Sequence, residues 1–224
     1  MRIAARFAGA VSTAHSGVLA GRLAAYIGAT AVEVTMHRPA RLDVDLRIDI
    51  SSGTARLYDG TLPLAEAGPA TLDLESVGLI GPGPESPPLA DRAFAASHAH
   101  PHSVCFGCGA DRVDGLGLRP GRRADGRVAA DWTPVTENPV QVWAALHCLA
   151  AWATSAASPV ALDRMALTAP GRIIPDEPHV VVGWIGRTPG TDPGAGSGVS
   201  TSSALLSSDG SVLAVAHSTW SLGT

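Results

Sequence analysis

The side chains that could carry chemistry lie at a few places along the chain. His147 closes the apolar run Trp143-Ala144-Ala145-Leu146, and an imidazole with an unperturbed pKa near 6.5 can act as a general base at neutral pH without tuning. Glu137 and Asn138 stand just ahead of Pro139 and that run. They could orient a water or bind a carbonyl, or they could simply cap a helix. His15-Ser16-Gly17-Val18 opens the first apolar-periodic segment. If a helix starts there, its leading N–H groups lack intrahelical partners and sit at the positive end of the dipole, where they can hold a developing oxyanion. Gly17 would let a ligand approach that backbone closely; the alternative is an ordinary N-cap by Ser16. Trp143, Trp152 and Trp184 offer aromatic surface for a pocket or for the core.

Cys105 and Cys108 have Cys-x-x-Cys spacing, with His98, His100 and His102 upstream, which are zinc-ligand types. The second pair that a structural zinc site brings from elsewhere is not evident, so a thiol-lined turn is expected, with no metal and no cofactor. A catalytic thiolate is not expected either, because the chain has no Lys and no Arg adjoins Cys108. Three cysteines, an odd count, do not make a disulfide framework and point to reduced thiols in a cytoplasm.

These residues must be positioned by regular elements. Val18, Leu19, Leu23, Tyr26 and Ile27 fall on one face of a helix over 16–27. Leu42, Val44, Leu46, Ile48 and Ile50 alternate with charged residues, which predicts a long strand, and Val32, Val34 and Met36 predict another before it. Asp59-Gly60 marks a hairpin between 54–58 and 62–67. The second half repeats this order of events, with a strand over 127–132, a helix over 140–156, and strands near 179–187, 200–207 and 212–220. Asp209-Gly210 there matches Asp59-Gly60, each leading into the last strand of its half. Gly- and Pro-rich sequence separates the halves, giving 1–75 as the first, 76–104 as the linker and 105–224 as the second. A further Gly/Pro-rich insertion, 189–198, is a candidate lid.

Composition narrows the function. With 224 residues, 46% hydrophobic and 16% charged, the chain can bury a core in one large or two small domains. A net charge of −4 without like-charge runs gives no footprint for nucleic acid or anionic membranes. No apolar run approaches a membrane span, and polar residues interrupt the N-terminal segment as a signal sequence.

The segment Cys105-Phe106-Gly107-Cys108-Gly109 followed by Gly115-Leu116-Gly117-Leu118 resembles the Cys-rich knuckle preceding the first strand in one branch of hotdog thioesterases. His15-Ser16-Gly17-Val18 is similar to the start of the central hotdog helix, and Arg38-Pro39 to the Arg-Pro that follows it. The resemblance implies an α+β double hotdog, two central helices each wrapped by a curved antiparallel sheet, with a cleft between the halves. It implies hydrolysis, or at least binding, of an acyl group carried on coenzyme A or an acyl carrier protein; His15, Ser16, Val18 and Trp143, by their place in the sequence, are the residues expected to contact substrate. At the place of the family's carboxylate the first half has Ala24 and the second has His147. Two other readings therefore stand beside the hydrolase: dehydratase, lyase or cyclase chemistry on the same scaffold, and a non-catalytic binder of an acyl-CoA or hydrophobic small molecule. The fused halves allow either a monomer or a homodimer.

Overall fold

The computed structural model describes residues 1–10, 12–72, 103–154, 160–186 and 198–222. The bulk of the linker 76–104, with His98, His100 and His102, lies outside the described residues, as does nearly all of the candidate lid 189–198.

Helix α1 (Ser16–Ala24) is followed by β3 (Ala31–Met36), β4 (Arg47–Ser51), β5 (Thr54–Asp59) and β6 (Leu62–Pro69). Helix α2 (Pro139–Ala153) is followed by β9 (Val160–Thr168), β10 (His179–Ile185), β11 (Val199–Ser207) and β12 (Val212–Leu222). Short strands β7 (Gly121–Arg122) and β8 (Val128–Trp132) precede α2, and a ribbon of β1 (Ala8–Ala10) and β2 (Thr13–Ala14) precedes α1. The sheet order is β4-β5-β6-β3-β9-β12-β11-β10-β8-β7. Each half thus places its post-helix strands in the same order, first, fourth, third, second, outward from a shared seam. That seam is the antiparallel pairing of β3 with β9, Ala31 opposite Thr168 and Val34 opposite Met165. The sheets of the two halves thus join edge to edge at the seam into one continuous sheet, which removes an exposed edge from each half.

Local chemistry explains most element boundaries. Asn138 caps α2, its Oδ1 accepting the Val140 N–H at 3.0 Å, and Pro139 fits the first turn because its missing N–H has no intrahelical partner there. Gly60 and Gly210 both take positive φ in the expected Asp-Gly turns. Helix α1 is shorter than the periodicity predicts: it ends at Ala24, and Tyr26, expected on the buried face, is 47% exposed. The long strand expected over 42–50 is also corrected. Asp43 sits at φ 56 and its N–H is taken by Ile3 C=O, while the Leu46 N–H is taken by Met1 C=O, so 42–46 pairs with the N-terminus and only 47–51 joins the sheet.

The helices cross antiparallel and very closely. A Cβ on Gly17 would meet the Trp143 carbonyl O at 2.7 Å and the His147 Cβ at 2.7 Å, and one on Gly21 would meet Trp143 and Val140 atoms at 3.0 Å. Helix α2 in turn lies directly on β10, where a Cβ on Gly183 would sit 2.2 Å from the Leu149 carbonyl O. Buried residues occur on nearly every side of α2, as expected for a helix enclosed by sheet and partner helix.

Gly17→Ala is expected to destabilise the protein by about 1–3 kcal/mol in urea denaturation, although Ala is the better helix former. Gly28→Ala, with nothing among the described residues within 4 Å of the new Cβ, is the matched control and should change little. Asn138→Ala should cost about 1 kcal/mol, and Asn138→Asp should recover most of it, as read from the urea midpoint.

Candidate functional site

The crossing brings the start of α1 against the middle of α2, so that residues from opposite halves meet. The His15 ring lies 4.6 Å from the His147 ring, and the His147 ring lies 5.1 Å from Trp220 on β12. His147 keeps partial exposure as a residue, yet its Nδ1 is shielded and has no hydrogen-bond partner among the described residues. Burial, followed by the positive charge His15 would carry, pulls its pKa down to about 3, so the imidazole is neutral across the physiological range.

Trp220, which meets His147, borders a buried polar strip on the sheet. On β11, Thr201, Ser203 and Leu205 share one face by alternation, and Leu205 packs into the main core with α2 while Ala204 and Leu206 belong to a separate apolar cluster. The helix-facing side of β11 is therefore polar at Thr201 and Ser203, and across the ladder Ser218 stands opposite Thr201. All three are buried. Trp220 Nε1 donates to Thr201 Oγ1 at 2.7 Å, but Ser203 Oγ and Ser218 Oγ have no partner among the described residues. Buried hydroxyls and ring nitrogens are ordinarily paired, so three unpaired ones, His147 Nδ1 included, call for a ligand or water.

The other expected site residues have defined positions. Gly17 faces α2, and the space above it is filled by His147 and Trp143 atoms rather than left for a ligand. His15, not Ser16, caps α1: its Nδ1 accepts the Val18 N–H at 3.3 Å, so one of the leading amides is already engaged. His15 and Val18 are fully buried, Ser16 is half-buried, and Trp143 is packed in the helix crossing. Asn138 is occupied by capping, and Glu137 forms an exposed ion pair with Arg172 at 3.1 Å. Both stand nine or more residues before His147, roughly 13 Å away along the helix axis, so they do not share its surroundings. Ala24, at the far end of α1, is buried. Trp184 lies with the separate apolar cluster on the other side of the sheet, and Trp152 donates from Nε1 to Cys108 Sγ at 3.3 Å.

A second constellation adjoins the first. His15 Nε2 is 3.2 Å from Cys148 Sγ, Cys148 Sγ is 3.9 Å from Cys105 Sγ, and Cys105 Sγ is 3.9 Å from Cys108 Sγ. The three cysteines are buried and none is in a disulfide. Hydrogen bonds from Cys108 and Cys148 hold the Cys105 thiol below its usual pKa, while the contact with Cys105 and burial push Cys108 and Cys148 up. Sequence reasoning found the Cys105 and Cys108 pair but missed Cys148 and Thr201, Ser203 and Ser218. Elsewhere, a depression on β3 and β6 holds Glu33 and Glu66, but these face Arg164 at 3.6 Å and Arg56 at 2.8 Å and so present ion pairs rather than an activated base.

No protein-family model and no curated protein matches the chain. Solved structures do. A protein assigned as a thioesterase from Novosphingobium aromaticivorans is 12% identical with a TM-score of 0.61, covering 100% of this chain and 94% of that one. A conserved protein of unknown function with a hot dog fold from Alicyclobacillus acidocaldarius is 12% identical with a TM-score of 0.59, covering 98% and 90%. The acyl-CoA thioesterase II TesB2 from Mycobacterium marinum is 12% identical with a TM-score of 0.51, covering 87% and 80%. The helices of the described residues are too short to cross a membrane. At these identities the likeness is one of fold, and the repeated helix-and-four-strand unit fits two hotdog halves in tandem: the chain has the hotdog fold.

Proposed function

We propose that the chain is an acyl-thioester hydrolase acting on an acyl-CoA or acyl-carrier-protein substrate where α1 meets α2. The observation that carries this reading is the set of unpartnered polar atoms, His147 Nδ1, Ser203 Oγ and Ser218 Oγ, on elements that enclose the helix crossing. Hydrolysis needs a group that activates or orients water and a donor to the carbonyl oxygen as charge develops on it. Held neutral by burial, His147 would orient the water through its ring nitrogen as a hydrogen-bond acceptor, and a serine hydroxyl of the strip would donate to the carbonyl oxygen. The names of the similar structures, thioesterases among them, agree with this chemistry.

A second reading is a non-catalytic acyl-CoA or hydrophobic-ligand binder. It is favoured by the engagement of the Val18 N–H by His15 and by Ala24 at the position where the resembled enzymes have a carboxylate.

The two readings separate in a screen of short, long and aromatic acyl-CoA substrates, followed by release of free thiol. The hydrolase reading predicts turnover that falls about 100-fold or more in His147→Ala. It also predicts a drop in kcat greater than any rise in KM for Ser203→Ala. Saturable binding without turnover in the wild-type chain would establish the binder, and turnover indifferent to His147→Ala would remove His147 from the mechanism.

A further inference from the structure

We propose that His15, Cys105, Cys108 and Cys148 form a closed structural zinc site that ties the start of α1, the Cys-x-x-Cys knuckle and α2 together. The proposal does not rest on the hydrolase reading.

The spacing of the sulfurs around Cys105 fits a tetrahedral ligand set. With Zn–S near ~2.3 Å, the sulfurs of a tetrahedron lie about 3.8 Å apart. The Cys105–Cys148 and Cys105–Cys108 sulfur separations are both 3.9 Å, far longer than a disulfide of about 2.05 Å. The fourth position has one candidate at hand: His15 Nε2 and the sulfurs of Cys105 and Cys148 all lie within 4.8 Å of one another. Cys105 and Cys108 supply the close pair. Cys148 and His15 supply the second pair, 133 residues apart in sequence.

The surroundings mark the site as structural rather than catalytic. His15, Cys105, Cys108 and Cys148 are 1%, 6%, 6% and 2% exposed, so no open position faces solvent, as a catalytic zinc would need. The backbone folds over the cluster at Gly107, where a Cβ would lie 2.2 Å from Cys148 Sγ and 3.4 Å from His15 Nε2. Outer hydrogen bonds of the kind that orient metal ligands are in place, since Trp152 Nε1 donates to Cys108 Sγ at 3.3 Å. Zinc binds the three sulfurs as thiolates and releases to solvent whatever thiol protons they still carry. The Val18 contact places the imidazole proton on Nε2, aimed at Cys148. Coordination through Nε2 moves that proton to Nδ1 and gives up the 3.3 Å cap from Val18, one long hydrogen bond against a metal–nitrogen bond.

The test is the metal content of the full chain, purified in reductant with zinc and then desalted. Native mass spectrometry and elemental analysis should find about one zinc per chain, and cobalt substitution should give thiolate charge-transfer bands with tetrahedral d–d absorption. Cys148→Ser should bind zinc about 100-fold more weakly, whereas the combined His98→Ala, His100→Ala and His102→Ala variant should keep its full zinc content. Because Cys148→Ser could fail to fold, the wild-type chain decides by itself. A folded wild-type chain holding less than about 0.1 zinc, with no tetrahedral cobalt spectrum, overturns the proposal. So does zinc that survives in Cys148→Ser and disappears in the triple histidine variant.

Discussion

The close crossing of α1 over α2 is the constraint on which the rest of the arrangement depends. It exists because Gly17 and Gly21 leave no side chain between the helices, and it is braced from below by Gly183, which lets α2 settle onto β10. Only at that separation can the cap residue of one helix, His15, touch the middle of the other at both His147 and Cys148. Close packing makes such a contact unforgiving, since an interior of this density cannot absorb even one added methyl without moving backbone. The β3–β9 seam completes the constraint by fixing the two halves in register.

Two chemistries sit side by side as a result. Consecutive helix residues project about 100° apart. His147 is accordingly stacked toward Trp220 and the polar strip, while Cys148 meets the thiol cluster. His15 contacts both, through its ring on one side and Nε2 on the other. A cluster that fixes Cys148 and His15 would also fix the side chain between them, which ties the rigidity of one site to the geometry of the other.

Much of the fold was legible in the sequence where a local rule dominates. The Asn138-Pro139 start, the two Asp-Gly turns and the alternation in β3 all follow from cap, turn and pleat chemistry. Strand β9 was not legible because Asp163 is an extra residue against β12: Arg164 pairs with Thr219 but Leu162 pairs with Trp220, so the alternation changes phase and buries both Leu162 and Met165. The opposite error at 42–46 came from an intact alternation overridden by hydrogen bonds to the N-terminus, a tertiary effect no local pattern carries. Within the site, placing His147 near the start of α1 needed only the likeness of the two helices. Ser203 and Ser218 were hidden because serines in an alternating strand ordinarily mark its wet face, and Cys148 because nothing local links it to His15 or Cys105.

The most direct test of the central claim, that the halves form one body through the helix crossing and the β3–β9 seam, is native-state amide hydrogen exchange resolved by segment. The account predicts that the amides of α1, α2, β3 and β9 exchange together, in the slowest class, at the free energy of global unfolding. Exchange of α1 and β3 through a distinctly lower-energy opening, while α2 and β9 stay protected, would contradict it, because the first half would then be released without the second.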